Sequence, residues 1–207
     1  LLHDGATLTT DYLNYDRAND VAYYFDGGMI EDNINTLTSL RGKYTPYNDQ
    51  AVFSGDVRLI HPNFILTSDT LCYNTATHQA DLVSPTRVVY EEETTILSSN
   101  GWYNTETEYS LLLDRSLIVH ADGMTLTGDT IYYDKLAGYG RVRGNMQSVD
   151  STHKVTLYGN HGEMWEDTDN GYATDSALLV DWSDSTMYTY IHADTLFTRQ
   201  LPYRMPI

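Results

Sequence analysis

Four aspartates recur in one context, each two residues ahead of a leucine or isoleucine: Asp11, Asp69, Asp129 and Asp194. Carboxylates in a set can share acid/base work or hold a hard cation. These four are far apart in the chain and fall one per double repeat, so they belong to separate strands. Short acidic side chains in that position bond turns or neighbouring strands. The seven histidines, His3, His61, His78, His120, His153, His161 and His192, show no His-Glu-x-x-His or other short metal-ligand spacing and read as surface or turn residues. Cys72 stands alone, with no partner for a disulfide or a Cys-x-x-Cys site. The run Glu91-Glu92-Glu93 reads as a solvated strand end or loop. No Gly-x-Ser-x-Gly elbow, phosphate-cradling Gly-x-x-x-x-Gly-Lys or dinucleotide fingerprint is present. The residues therefore name no catalytic set, no metal site and no cofactor, and the chain is not read as an enzyme.

What remains is a matter of elements. Hydrophobic residues make up 41% and charged residues 20% of the 207, an ordinary soluble composition and one sizeable core. No stretch of about 18 apolar residues occurs, so no membrane-spanning helix is encoded. The start, Leu1-Leu2-His3-Asp4, lacks the basic and apolar parts of a secretory signal. Twelve Lys and Arg against 29 Asp and Glu give a formal charge of −17, which repels nucleic-acid phosphates and anionic membrane surfaces. Eighteen tyrosines, many threonines and only five prolines favour β-structure.

The chain repeats itself. Thr9-Thr10-Asp11-Tyr12-Leu13-Asn14-Tyr15-Asp16 returns as Thr67-Ser68-Asp69-Thr70-Leu71-Cys72-Tyr73-Asn74 and as Thr127-Gly128-Asp129-Thr130-Ile131-Tyr132-Tyr133-Asp134, with a degraded copy at His192-Ala193-Asp194-Thr195-Leu196. Between them lies a form with glycine in the leucine position, at Gly42, Gly101 and Gly162. The anchor falls at Tyr15, Tyr44, Tyr73, Tyr103, Tyr133 and Met164, a step of about 30 residues. A polar stretch follows each anchor, and then a second strand whose first small residue recurs at Ala22, Ala51, Ala80, Ser110, Gly140 and Ala173. That strand alternates: Ala51, Phe53, Val57 and Leu59 share one face, Ser54, Asp56 and Arg58 the other, and Val142 and Met146 oppose Arg141, Arg143 and Gln147.

Each unit is thus two mainly antiparallel strands. Units near 7–35, 36–64, 65–94, 95–124, 125–156 and 157–189, a partial copy at 190–200 and a tail at 201–207 give a single repeat domain over 1–207 with roughly thirteen strands. The alternation of leucine-type and glycine-type units favours an all-β, elongated, open-ended jelly roll of two facing sheets over a parallel β-helix. About seven strands per sheet at about 4.8 Å would span about 30–40 Å. Leu13, Tyr15, Phe53, Val57, Leu71, Tyr73, Leu82, Leu112, Ile131, Tyr133, Val142 and Met146 are expected on the inner, apolar side, with Arg58, Arg87, Arg141 and Arg143 outside.

The motif Asp-x-Leu-x-Tyr-Asp/Asn, a polar turn and a small residue opening an alternating strand resembles the repeat of OstA-like proteins, the family of LptA, LptC and the amino-terminal part of LptD, over about residues 7–198. The resemblance implies a periplasmic protein, its secretory signal already removed, that carries or bridges lipopolysaccharide or another acylated lipid toward the outer membrane. The twelve inner residues would line its groove. It also implies contact with other Lpt-like envelope proteins at strand edges and head-to-tail self-association. The strong acidity departs from that picture, because lipid phosphates are anionic. The alternative is a structural, scaffold or glycan-binding β-repeat module of the cell envelope.

Overall fold

In the computed structural model, residues 2–3, 6–168 and 170–198 are described. The tail at 201–207, a candidate cover for the last strand edge, lies outside the described residues. The strands are β1 (Leu2–His3), β2 (Ala6–Thr10), β3 (Asn14–Asp16), β4 (Val21–Tyr24), β5 (Gly28–Glu31), β6 (Thr36–Ser39) and β7 (Arg41–Thr45). After the 3-10 turn Pro46–Asn48 come β8 (Gln50–His61), β9 (Phe64–Asn74), β10 (Gln79–Leu82), β11 (Thr86–Tyr90), β12 (Thr94–Ser98) and β13 (Gly101–Asn104). The last six are long: β14 (Tyr109–His120), β15 (Met124–Asp134), β16 (Tyr139–Asp150), β17 (Val155–Trp165), β18 (Asn170–Asp181) and β19 (Thr189–Thr198).

Every pairing among the described strands is antiparallel, which rules out stacked parallel coils. The strands form one hydrogen-bonded network that folds over into two layers. The long strand β9 shows how: its second half pairs with β10 and its first half with β11, two strands that follow one another across a break at residues 83–85. Each pass of the chain therefore crosses both layers and bends between them. Layer one holds the halves near the anchor tyrosines (for example 50–54, 70–74 and 109–113), and layer two holds the other halves (57–61, 64–68 and 116–120). This corrects the expected seven strands per sheet. About thirteen passes contribute to each layer, giving about 60 Å along the stack at about 4.8 Å per strand.

The bends have a local chemistry. In β8, β14, β16 and β18 two consecutive residues take positive φ: Gly55 and Asp56, Asp114 and Arg115, Gly144 and Asn145, Asp175 and Ser176. The ladder slips there, between Ser54 and Val57 and at the equivalent places in the other three. Glycine enters the left-handed region without a Cβ clash, and Asp and Asn tolerate it better than most residues. Opposite each double bulge the neighbouring strand turns on one short polar residue, such as Asp69 or Asp129. Asp129 accepts a hydrogen bond from Asn145 Nδ2 at 2.7 Å and lies 3.8 Å from the Arg115 guanidinium. Just inside the bend, buried serine hydroxyls donate to carbonyls two residues on, Ser39 to Arg41, Ser68 to Thr70 and Ser98 to Asn100. Across strands, Ser68 meets Thr86 at 2.8 Å and Ser116 donates to Ser98 at 2.7 Å.

At the opposite edge the residue after the anchors Tyr15, Tyr73, Tyr103 and Tyr133 closes the turn, whereas Thr45 and Trp165 follow the other two. Asp16, Asn74 and Asn104 each accept backbone N–H bonds from two and three residues ahead, Asx turns that fix the hairpins. The whole motif is thus accounted for: Asp at the bend, Leu in the core, Tyr at the rim, Asp or Asn in the turn.

Between the layers, Phe53, Leu71, Leu82, Leu112, Ile131 and Val142 from layer one and Val57, Phe64, Leu66 and Met146 from layer two form one buried cluster. Along layer one the inner row runs Gly42, Phe53, Leu71, Leu82, Gly101, Leu112, Ile131, Val142, Gly162, Ala173, Leu196. Glycine stands where a neighbour's bulk crosses: a Cβ on Gly42 would lie 2.2 Å from the Tyr24 ring, and one on Gly162 2.2 Å from Met146 Sδ. Leucine-type and glycine-type units therefore alternate because large and small residues must interdigitate.

Candidate functional site: a groove between the two layers

The space between the layers changes along the stack. Over β8 and β9 Phe53, Val57 and Leu71 are buried between the layers and none of them lines the groove described next. From β10 onward small residues such as Ser110, Gly140, Gly162 and Gly171 stand among the large ones of the inner rows. The layers there enclose an apolar groove of about 580 Å³. Its layer-one wall includes Leu82, Leu112, Ile131, Tyr133 and Val142, and its layer-two wall Val88, Ile96, Ile118, Leu126, Met146, Leu157 and Leu179.

Of the residues expected to face inward, Leu82, Leu112, Ile131, Tyr133, Val142 and Met146 line this groove. Phe53, Val57 and Leu71 are buried at the end over β8 and β9, and Tyr73 packs against that end of the core. Leu13 and Tyr15 stand apart, 42% and 57% exposed. Leu13 falls in the break between β2 and β3, where no ladder holds the alternation, and β3 is a three-residue strand at the start of layer one. Arg58, Arg87 and Arg143 are exposed, and Arg141 lies half-buried over the Tyr132 ring at 5.5 Å. Most of the layer-two wall was not singled out from the sequence. Its signal, Ile118, Leu126 and Leu157 alternating with polar residues, sits in the half of each strand farther from the anchor tyrosine.

The groove opens along the edge where the hairpin turns of the two layers face each other. Groups from both sides meet across it. Phe64 of layer two packs edge-on against Tyr103 of layer one with ring centroids 5.9 Å apart. Lys135 Nζ, from a layer-one turn, sits 3.8 Å above the Tyr90 ring of layer two and 3.8 Å from Glu108 Oε2. Tyr133 donates to Glu166 Oε1 at 3.0 Å. Burial, reinforced by the Glu108 charge, pushes the Tyr103 hydroxyl up to about 12. Burial and the Glu166 charge raise that of Tyr133 still further, so both phenols stay neutral. His153 Nδ1 pairs with Asp150 Oδ2 at 2.7 Å, and the backbone N–H of His153 is the main cause holding the Asp150 carboxyl below its ordinary value. Among the described residues no group of histidine, cysteine and carboxylate side chains is arranged to hold a metal.

The outer face of layer one carries a row of rings, Tyr109, Tyr132, Tyr139, Trp165, Tyr172 and Phe197, with successive centroids 5.6–6.3 Å apart. Cross-strand aromatic pairs of this kind stabilise a solvent-facing sheet.

An open-ended antiparallel β-roll with an apolar groove is the class of protein this geometry defines. Residues 1–69 match the family model described as OstA-like protein. The crystal structure of LptH from Pseudomonas aeruginosa, described as the LptA homologous periplasmic component of the conserved lipopolysaccharide transport device, is 15% identical over 50% of this chain and 78% of its own, with a TM-score of 0.45. No curated protein matches the chain. The match to residues 1–69 bears out the resemblance drawn from the repeat over that third of the chain.

Proposed function

We propose that the chain carries acyl lipid, lipopolysaccharide or a related species, between its two layers toward the outer membrane. The observation that bears this reading is the groove: an apolar space of about 580 Å³ between two β-layers, open along one side, is suited to hydrocarbon chains whose polar end stays in water. Burying each methylene contributes about 0.8 kcal/mol, so a few chains of ordinary length supply ample affinity. The strand edges extend the reading to assembly. Among the described residues β19 pairs only with β18, and its Tyr190, Ile191 and Phe197 are exposed. Such an edge accepts strand addition from a second copy or from a related envelope protein, which would lengthen both layers and the groove.

A photocrosslinking residue at Leu112, which faces the groove, or at Leu111, which faces outward on the same strand, tests the carriage. Lipopolysaccharide adducts are expected from position 112 and not from 111; equal labelling sinks the proposal. Light scattering over a concentration series tests the assembly, which should grow with concentration rather than stop at a dimer.

The row of rings on the outer face supports a second reading, glycan binding, since aromatic faces beside the Glu163 carboxylate and Arg141 suit sugar rings. Soluble oligosaccharides that quench Trp165 fluorescence would favour it.

A further inference from the structure

The distribution of charge, rather than its total, narrows the ligand. The chain reversals around the open groove, at 90–94, 104–109, 120–124, 134–139, 150–155 and 165–168, carry ten carboxylates against two lysines, Lys135 and Lys154. Three of those carboxylates, Glu108, Asp150 and Glu166, line the groove itself. Of the basic groups at the mouth, Lys154 is exposed to solvent and the others are engaged. Lys135 is held by Glu108 and by the Tyr90 ring, His153 by Asp150, and His120 lies 3.1 Å from the Thr94 hydroxyl. Arg58, Arg87 and Arg143, which could neutralise a phosphate, are exposed on the outer walls, and Arg141 lies over Tyr132 on the outer side of layer one. What the mouth does offer is uncharged: the Tyr90 hydroxyl is buried at the groove and has no hydrogen-bond partner among the described residues, although a phenol can both donate and accept.

Given that the groove holds acyl chains, as proposed above, we infer that it selects lipids whose polar end carries no net negative charge, with ester or hydroxyl groups meeting Tyr90, and disfavours an unscreened phosphorylated headgroup. An anion at the mouth would face an excess of carboxylate, with Glu108, Asp150, Glu163 and Glu166 among the lining residues against Lys135 and Arg141. Like charges within a Debye length repel at low ionic strength, and the net excess of carboxylate weakens binding by about tenfold.

Affinities of the full chain for phosphatidylcholine and phosphatidylglycerol with the same labelled acyl chain, each delivered from vesicles of that lipid alone, measure this directly. At low salt phosphatidylcholine should bind about tenfold more tightly, and the gap should close as sodium chloride is raised to screen the mouth. In the isosteric triple variant Glu108→Gln, Asp150→Asn, Glu166→Gln the ratio of the two affinities should move toward one. Equal or tighter binding of phosphatidylglycerol at low salt, or a ratio that does not change with salt in the unmodified protein, overturns the selectivity and leaves the groove standing as a lipid site. Binding of neither lipid overturns the groove reading and this inference together.

Discussion

Leu71 and Leu112 occupy the same inner row of layer one, three strands apart, and are 1% and 4% exposed. Shortening each to alanine removes the same atoms but leaves different surroundings. Leu71 lies at the end over β8 and β9, held among Phe53, Val57, Leu66 and Leu82. The space left by Leu71→Ala would be closed on all sides, so the lost transfer free energy and the cavity penalty add, for about 4 kcal/mol. Leu112 lines the groove, where one side of its side chain already lacks packed neighbours. Leu112→Ala enlarges an existing space and loses chiefly the transfer contribution of its missing carbons, about 2–2.5 kcal/mol. Urea unfolding followed by tryptophan fluorescence compares the two, provided the slope against denaturant stays unchanged, which matters in a repeat array whose ends can unravel separately. Leu71→Ala should shift the midpoint the more, by the equivalent of at least about 1 kcal/mol. If Leu112→Ala costs as much as Leu71→Ala, the contrast between a filled end and an open groove is wrong.

Gly42→Val should destabilise by about 1–3 kcal/mol or more, because its Cβ would fall 2.2 Å from the ring of Tyr24, whose hydroxyl is anchored to Ser39 at 2.6 Å; the same change at Gly27, where nothing lies within 4 Å, should act through backbone strain alone, and thermal unfolding separates the two. Ser68→Ala should cost about 1 kcal/mol by removing its bonds to the Thr70 carbonyl and to the Thr86 and Ser84 hydroxyls, which keep their other partners, a loss readable by urea midpoint, whereas Thr67→Ala on the exposed face should cost little. Burial holds the His61 imidazole below its ordinary value, and its Nδ1 accepts a backbone N–H from Asn63, so the folded state favours the neutral ring. The unfolded chain then binds more protons, and stability is lost as pH falls through about 6.5. Between pH 7.5 and 5.5 the urea midpoint should fall more for the unmodified protein than for His61→Gln; equal falls would exclude His61 as the cause.

The hairpin turns and the core row were legible in the sequence because each depends on a residue type. An Asx turn needs Asp or Asn where Asp16, Asn74, Asn104 and Asp134 stand, and an inner position next to Tyr24 or Met146 needs glycine. The bends were not legible, for a geometric reason. In β8 two residues, Gly55 and Asp56, stand in the bend opposite the single Asp69 of β9, and two residues preserve the parity of a period-two pattern. Phe53 and Val57 therefore read as members of one straight face although the chain turns from one layer to the other between them. Val142 and Met146 in β16 behave in the same way. On the neighbouring strand β9 the inner positions run Leu66, Ser68, Leu71 and Tyr73, so the phase does shift at Asp69, and that shift was the available sign that the recurring aspartates mark a bend. With the bends unseen, thirteen bent strands were divided between two sheets, and most of the second wall of the groove went unread.

The position of the family match sharpens what the groove can be. Residues 1–69 include the end where Phe53 and Val57 are buried between the layers, whereas Gly140, Gly162 and Gly171 line the groove later in the chain. The same repeat therefore builds both a plug and a groove, differing in the volume of its inner side chains and not in its hydrogen bonding. A lipid held as proposed would enter by the open edge near Tyr133 and Lys135 and stop short of Phe53, rather than thread the whole stack. Photocrosslinkers at Phe53 and Val142 distinguish the two paths, since both positions are buried and face the same interior. Adducts with lipopolysaccharide or a labelled phosphatidylcholine are expected at Val142 and absent at Phe53. Labelling at both would mean that the filled end opens when lipid binds, and labelling at Phe53 alone would place the lipid in the wrong half of the molecule and refute the groove as its site.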